Sequence, residues 1–171
     1  GAVAYLNTKP LVYGLEELAD DIDLSFDYPS CLADGLREGV LDVALVPSIE
    51  RLLHPEYQVV SDACIACRGP VLSVKLLSRV PLPDIKTLAL DEGSRTSVAL
   101  VQILLNKQFG VTPQCRPLPI GMPVKEVSVD AVLLIGDRAI HPPCDGFVEQ
   151  WDLGEQWCRW SRLPFVFAAW I

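Results

Sequence analysis

The chain has 171 residues, half of them hydrophobic and 21% charged, a balance that builds a packed core rather than a disordered chain. Its formal net charge of -8 argues against nucleic acid, because phosphate backbones select basic surfaces. No apolar run reaches membrane-spanning length, so no membrane partner is expected, and the six scattered cysteines read as the reduced thiols of a cytoplasmic protein.

Residues 3–6 read as a first strand, followed by the polar turn Asn7-Thr8-Lys9-Pro10 and a helix to about Leu18, with Pro10 in its first turn. Asp20 and Asp21 break that pattern, and residues 22–26 alternate as a half-buried strand. Ser30 is the expected cap of a helix over 31–38 that Gly39 ends. Residues 42–46 read as a buried strand, and Ser48 as the cap of a short helix to Leu52. This alternation predicts an α/β architecture with parallel strands. Polar residues gather where those strands end, at Asn7 and Thr8, at Ser30 and at Ser48, where the ligand crevice of an open α/β sheet lies.

Strands are expected at 58–60, 63–67 and 71–77, and Pro81-Leu82-Pro83 marks the entry to a second lobe. There the pattern restarts, with a strand over 87–90, a helix over 98–109 stopped by Gly110, and strands over 115–118 and 131–135. The last of these ends in Gly136-Asp137-Arg138. An amphipathic stretch over 155–162 precedes a final apolar strand, and a strand in that place needs neighbours, so the natural chain is expected to continue past Ile171.

The segment Asp91-Glu92-Gly93-Ser94-Arg95-Thr96-Ser97 joins an apolar strand to an apolar helix. A turn at Gly93 and a cap at Ser94 direct backbone N–H groups into the loop, Thr96 and Ser97 add hydroxyls, and Arg95 adds a fork suited to a carboxylate or phosphate. The plainer reading is an ordinary capped helix, with Arg95 paired to Asp91 or Glu92. Cys64 and Cys67 form a C-x-x-C pair, but inside a strand and without a second pair, so buried packing is the simpler account. His141 and Cys144 flank a rigid Pro142-Pro143 loop, and His54 ends a helix; no metal is expected. No glycine-rich phosphate loop and no Ser-His-acid arrangement is present. Glu50, Glu92 and Asp137 are candidate bases or simple caps. The candidate site is otherwise built of neutral hydrogen-bonding groups, suited to a small organic anion.

Longer segments carry a family resemblance. They are Tyr5-Leu6-Asn7-Thr8-Lys9-Pro10-Leu11, Leu41-Asp42-Val43-Ala44-Leu45-Val46-Pro47-Ser48-Ile49-Glu50, Ser61-Asp62-Ala63-Cys64-Ile65-Ala66-Cys67-Arg68-Gly69-Pro70-Val71, the 91–97 segment, Leu134-Ile135-Gly136-Asp137-Arg138-Ala139 and Leu163-Pro164-Phe165-Val166-Phe167-Ala168. In order and nearly end to end, the chain resembles the chorismate dehydratase family of the futalosine route to menaquinone. A sister family that makes dihydroxynaphthoate has a Ser-Pro-Cys-Pro-Asn type of early motif where this chain has Tyr5-Leu6-Asn7.

The resemblance implies a two-lobed, periplasmic-binding-protein-like (type II) α/β fold with a ligand cleft between the lobes. The first lobe would be 1–75 resuming at 164–171 and incomplete at its carboxyl end, the second 76–163. It implies dehydration of chorismate to 3-[(1-carboxyvinyl)oxy]benzoate with no cofactor. Asn7 and Ser73 match functional positions of the family; Ser30, Ser48, Ser94, Arg95, Thr96, Ser97, Gly136 and Asp137 are the expected substrate contacts. The substrate's enolpyruvyl carboxylate is the expected base. A homodimer is left open, and the alternative is a solute-binding protein of the same fold that takes a small carboxylate without reaction.

Overall fold

The computed structural model describes residues 1–18, 21–143 and 145–171, so the break read at Asp20 and the Cys144 end of the His141 loop lie outside the described residues. The chain divides into two compact units, one of Gly1–Ala66 with Val166–Ile171 and one of Cys67–Phe165.

In the first unit, β1 (Ala2–Val3) leads through a 3-10 turn (Leu6–Thr8) into α1 (Lys9–Val12) and α2 (Leu15–Leu18). The strand expected over 3–6 therefore stops early, and the single helix expected to Leu18 is divided at Gly14, whose φ of 75° is left-handed. β2 (Phe26–Asp27) pairs parallel to β1. It covers only the end of the strand expected over 22–26, where Asp21 and Asp23 are poor strand formers. α3 (Pro29–Arg37) starts earlier than the helix expected from Cys31, because proline suits the first helical position. Tyr28 takes the N-cap, and Ser30 sits inside the first turn instead of capping it. β3 (Leu45–Pro47), α4 (Ile49–Leu53) and β4 (Cys64–Cys67) follow, while residues 58–60 form no strand.

The second unit opens with β5 (Val74–Ser78), shorter at its start than the strand expected over 71–77. β6 (Thr87–Asp91), α5 (Arg95–Phe109), β7 (Gln114–Leu118), β8 (Ala131–Ile135), α6 (Asp137–Ile140), β9 (Glu149–Asp152) and α7 (Leu153–Ser161) complete it. These strands form one sheet in the order β7-β6-β8-β5-β9. β6 is parallel to β7 and β8, but β5 runs antiparallel to β8 and β9. The all-parallel expectation fails here because the short 79–86 connection, with its 3-10 turn at Leu82–Asp84, is too brief for a crossover helix and returns the chain antiparallel on the far side of β8.

Alternation along the strands gives the sheet two buried faces. Leu77, Ala89, Val132 and Leu134 pack on one side with Leu118, Val124, Val129 and Ala139. Leu76, Leu88 and Leu133 point to the other. α5 buries Leu100, Val101, Leu104 and Leu105, an apolar stripe at helical spacing. It ends where expected, at Gly110 with φ 71°, whose N–H reaches the Asn106 carbonyl. β10 (Phe165–Trp170) then returns to the first unit, lying between β3 and β4 and antiparallel to β3. Its Ala168 and Trp170 join Ala2, Val3, Leu32, Ala33, Leu45 and Val46 in that unit's core. Among the described residues no helix is long and apolar enough to cross a membrane.

Two predictions follow from this packing. Gly154 stands where an added Cβ would lie 2.6 Å from the Cys67 sulfur and 2.9 Å from the Gly69 carbonyl oxygen. Gly154→Ala is expected to cost about 1–3 kcal/mol in urea unfolding, and an unchanged midpoint would show that α7 can shift freely. At the other edge of the sheet, one Asp130 oxygen accepts from Lys86 N at 2.9 Å, Thr87 N at 2.8 Å and Thr87 Oγ1 at 2.9 Å. The Lys86 N–H, first, and the Thr87 donors hold this carboxyl below its ordinary value. A depressed folded value stabilises above the unfolded one, about pH 4, and that stability is lost as pH falls through the folded value. The stability gap between the parent chain and Asp130→Asn should therefore narrow below about pH 4. A gap that stays constant down to pH 2 would contradict it.

Candidate functional site

β6 and β8 run parallel, so their carboxyl ends share one edge of the sheet, and antiparallel β5 brings its amino end there too, Val74 facing Ile135. Ser73, the 91–97 segment and Gly136-Asp137-Arg138 thus meet on one edge. This edge is the candidate site of the second unit.

Its centre is Asp91, 1% exposed. One oxygen accepts from Gly93 N at 3.0 Å. The other accepts from Ile135 N at 3.2 Å, from Arg138 Nε at 3.0 Å and from Arg138 Nη2. The structure gives Asp91 the guanidinium of Arg138, from the end of the neighbouring strand, a partner that the reading of Arg95 as an anion-binding fork or as a partner of Asp91 or Glu92 left out. Gly136 makes this geometry accessible. Its φ of 66° and ψ of -153° belong to a region that is essentially glycine-only, and they turn the chain back so that Arg138 reaches Asp91. Asp137 opens α6, as its place at a strand end implied.

The amino end of α5 forms as read. Ser94 is the N-cap, and its Oγ accepts from Ser97 N at 3.3 Å and shares a hydrogen bond with Ser97 Oγ at 3.1 Å. Ser94, Thr96 and Ser97 are buried and Arg95 is half-buried in the first turn. The two serine hydroxyls therefore hold each other, and the positive end of the helix dipole supplies the field that an anion would meet.

Ser73 lies just before β5, with its Oγ 3.5 Å from the Val71 carbonyl. The loop that delivers it is fixed by Asp152, which accepts from Val71 N at 2.9 Å and Leu72 N at 2.7 Å. Asp152 also caps α7 by accepting from Glu155 N at 3.0 Å. Leu72, between these bonds and Ser73, has a φ of 66°, a strained value for a side-chain-bearing residue. Two residues along, Lys75 is buried and donates to the Ile140 carbonyl at 3.3 Å.

Asn7, Ser30 and Ser48 belong to the first unit. Asn7 is exposed on the 3-10 turn after β1, and Ser30 lies in the first turn of the helix after parallel β2. The Tyr5 and Tyr28 rings meet edge-on at 6.2 Å, packing these two strand exits together. Thr8 is buried, and its Oγ1 has no partner among the described residues. Ser48 is the N-cap position of α4 without a side-chain cap bond; its Oγ donates to the Val166 carbonyl at 2.7 Å, tying α4 to β10. Glu50 is buried, with His54 Nε2 3.8 Å from its carboxylate.

Arg138 and Asp152 escaped the sequence reading as site-forming residues. Asp152 had a signal: an aspartate three residues before Glu155 at the head of an amphipathic helix is a cap pattern. Asp91, closing an apolar strand, hinted at a buried carboxylate in need of a cation, but nothing local distinguished Arg138 from Arg95. Asp91→Asn is expected to cost about 3 kcal/mol, because it leaves a partly buried guanidinium without its counter-charge. Urea unfolding measures this, and a loss below about 0.5 kcal/mol would show that the pair does not hold the edge.

The comparisons with known proteins agree with this architecture. A model of the menaquinone biosynthesis family matches residues 1–171. The chorismate dehydratase of Thermus thermophilus is 33% identical over 187 aligned residues, which cover 99% of this chain and 68% of that protein. A crystal structure of a protein from Archaeoglobus fulgidus aligns with a TM-score of 0.63 at 16% identity, covering 94% of this chain and 61% of that one. The chain thus spans less than two thirds of that solved structure, and at this identity the likeness concerns the α/β fold alone. By the family match along its whole length, the chain belongs to the menaquinone biosynthesis family.

Proposed function

We propose that this chain is a chorismate dehydratase, converting chorismate to 3-[(1-carboxyvinyl)oxy]benzoate and water in a cytoplasmic branch of menaquinone biosynthesis. The observation that carries the reading is 33% identity to a chorismate dehydratase along 99% of the chain. The finer fold reading, a two-lobed periplasmic-binding-protein-like protein of type II, is supported by the division into two α/β units.

The reaction suits a site of fixed donors. The C3 hydrogen of chorismate is vinylogous to the ring carboxylate, so its removal leaves an anion delocalised into that group. The electron pair then forms the C3–C4 double bond as the C4 hydroxyl leaves, protonated to water, and the ring becomes aromatic. The demand on the protein is to hold both carboxylates, place a base at C3 and stabilise the spreading charge. The substrate's enolpyruvyl carboxylate is the base and passes its proton to the departing hydroxyl. Asn7 and Ser73 orient that carboxylate and the C4 hydroxyl. The amino end of α5 at Ser94, Arg95, Thr96 and Ser97 holds a carboxylate, with Gly136 and Asp137 shaping the neighbouring turn. Arg138, whose bonds run to Asp91 through Nε and Nη2, holds the same edge in place as one half of a neutral ion pair.

Incubation of the protein with chorismate, followed by chromatography for the benzenoid ether, tests the reading. Formation of that product supports it, whereas saturable chorismate binding without product would favour a solute-binding protein. Asn7→Ala should lower kcat about 100-fold with a smaller change in KM, and an unchanged kcat would remove Asn7 from the chemistry. Glu50→Gln should keep kcat within about threefold; a loss of about 100-fold in a folded variant would make Glu50 the base in place of the substrate carboxylate.

A further inference from the structure

β5 lies between β8 and β9, and all five of its residues, Val74 to Ser78, are buried. One of them is Lys75, 8% exposed. Lysine is almost never buried this far without a counter-charge, because its ammonium is costly to withdraw from water. Alternation and register fix where it points: Lys75 is paired with Leu134 on β8 and shares a sheet face with Leu77. Ala139 of α6 packs on that face, and the Lys75 ammonium donates to the carbonyl of Ile140, the last residue of α6, at 3.3 Å.

A carbonyl fills one of the three ammonium donors and carries no full charge. Among the described residues no carboxylate stands within ion-pair distance of Lys75. Asp152, its register partner on β9, commits its oxygens to the N–H groups of Val71, Leu72 and Glu155. Asp91 is likewise committed to Arg138. The positive charge of Lys75 is therefore left over, and it sits beside the candidate site. Ser73 is two residues earlier in the chain, and the next register pair outward, Val74 with Ile135, is the last before the Gly136 turn.

We propose that Lys75 is a positioning residue for the substrate, its field holding a ligand carboxylate at this edge of the sheet. The inference rests on the reading of the edge as the site of a dianionic substrate, and it deepens that reading. An ammonium in water-poor surroundings acts across several ångströms, because little solvent screens it. Its bond to Ile140 keeps it from turning out to water, so the charge is in place before a ligand arrives. The ligand class follows from the charge: a ring-bearing dicarboxylate gains from it, and an uncharged molecule of the same shape does not. An apolar side chain would be cheaper to bury in this strand, and the cost of the lysine is offset when a carboxylate is bound.

The test measures chorismate turnover, and binding of the stable ether dicarboxylate 3-(carboxymethoxy)benzoate, in the intact chain and three variants. Lys75→Met removes charge and donor, Lys75→Gln removes the charge but keeps a donor for Ile140, and Lys75→Arg keeps the charge. In Lys75→Met and Lys75→Gln the Kd of the dicarboxylate and the KM for chorismate should rise about tenfold, with kcat within about threefold of the parent. Lys75→Arg should bind within about threefold of the parent, and the thermal midpoint of Lys75→Met should not fall. A lowered midpoint together with a fall in kcat would mark a mere pin on α6 and overturn the assignment. So would Lys75→Gln binding like the parent, or Lys75→Arg binding as poorly as Lys75→Gln; if Lys75→Met does not fold, this pair decides alone. Lys75-dependent binding in a chain that makes no benzenoid product keeps the assignment and removes the dehydratase reading. Turnover by the parent with affinity unchanged in the variants does the reverse, and a parent that neither turns over chorismate nor binds the dicarboxylate removes both.

Discussion

The second unit depends on a carboxylate withdrawn from water. Asp91 gathers the N–H groups of Gly93 and Ile135 together with the Arg138 guanidinium, and so connects the ends of β6 and β8 to the turn that starts α5. Burying such a charge is costly unless its lone pairs are filled by well-placed donors. Here they are, and the consequence is geometric: the start of α5 and the Gly136 turn are held in a fixed relation to the same oxygen atoms. A hydrophobic replacement could fill the volume but would leave the two strand ends without a common reference.

Much of this frame is written locally. The helix at α5, with Ser94 before it and Gly110 after it, combines a cap, a periodic apolar face and a stop, and all three agree. The apolar runs of β6 and β8 likewise suffice to mark buried strands. The first unit was harder to read because its strands are short and its helices brief, so individual prolines and glycines decide boundaries that periodicity cannot resolve. Pro29 displaced the cap expected at Ser30, and Gly14 divided a helix expected to be continuous. Strand direction was missed for another reason: it is a property of connections, and the turn over 79–86 looks alike from sequence whether the next strand runs with or against its predecessor.

The site shows the same division. Ser94, Thr96 and Ser97 were readable because a helix start is a local event. The pairing of Asp91 with Arg138 was not, since those two residues are 47 apart in sequence and meet only through sheet order.

The loop before Ser73 has a bearing on the order in which the molecule assembles. Leu72 holds a left-handed backbone conformation that costs roughly 1–2 kcal/mol, and the bond that offsets it comes from Asp152, 80 residues further along. Contacts of such separation form only after the intervening chain has been gathered in, because loop closure must precede their reward. As synthesis proceeds from the amino end, a nascent chain lacks Asp152 until nearly all of the second unit has emerged. The backbone around Ser73 is thus among the last parts of that unit to reach its final shape, and a partly made protein carries this serine on a loop that has yet to be fixed.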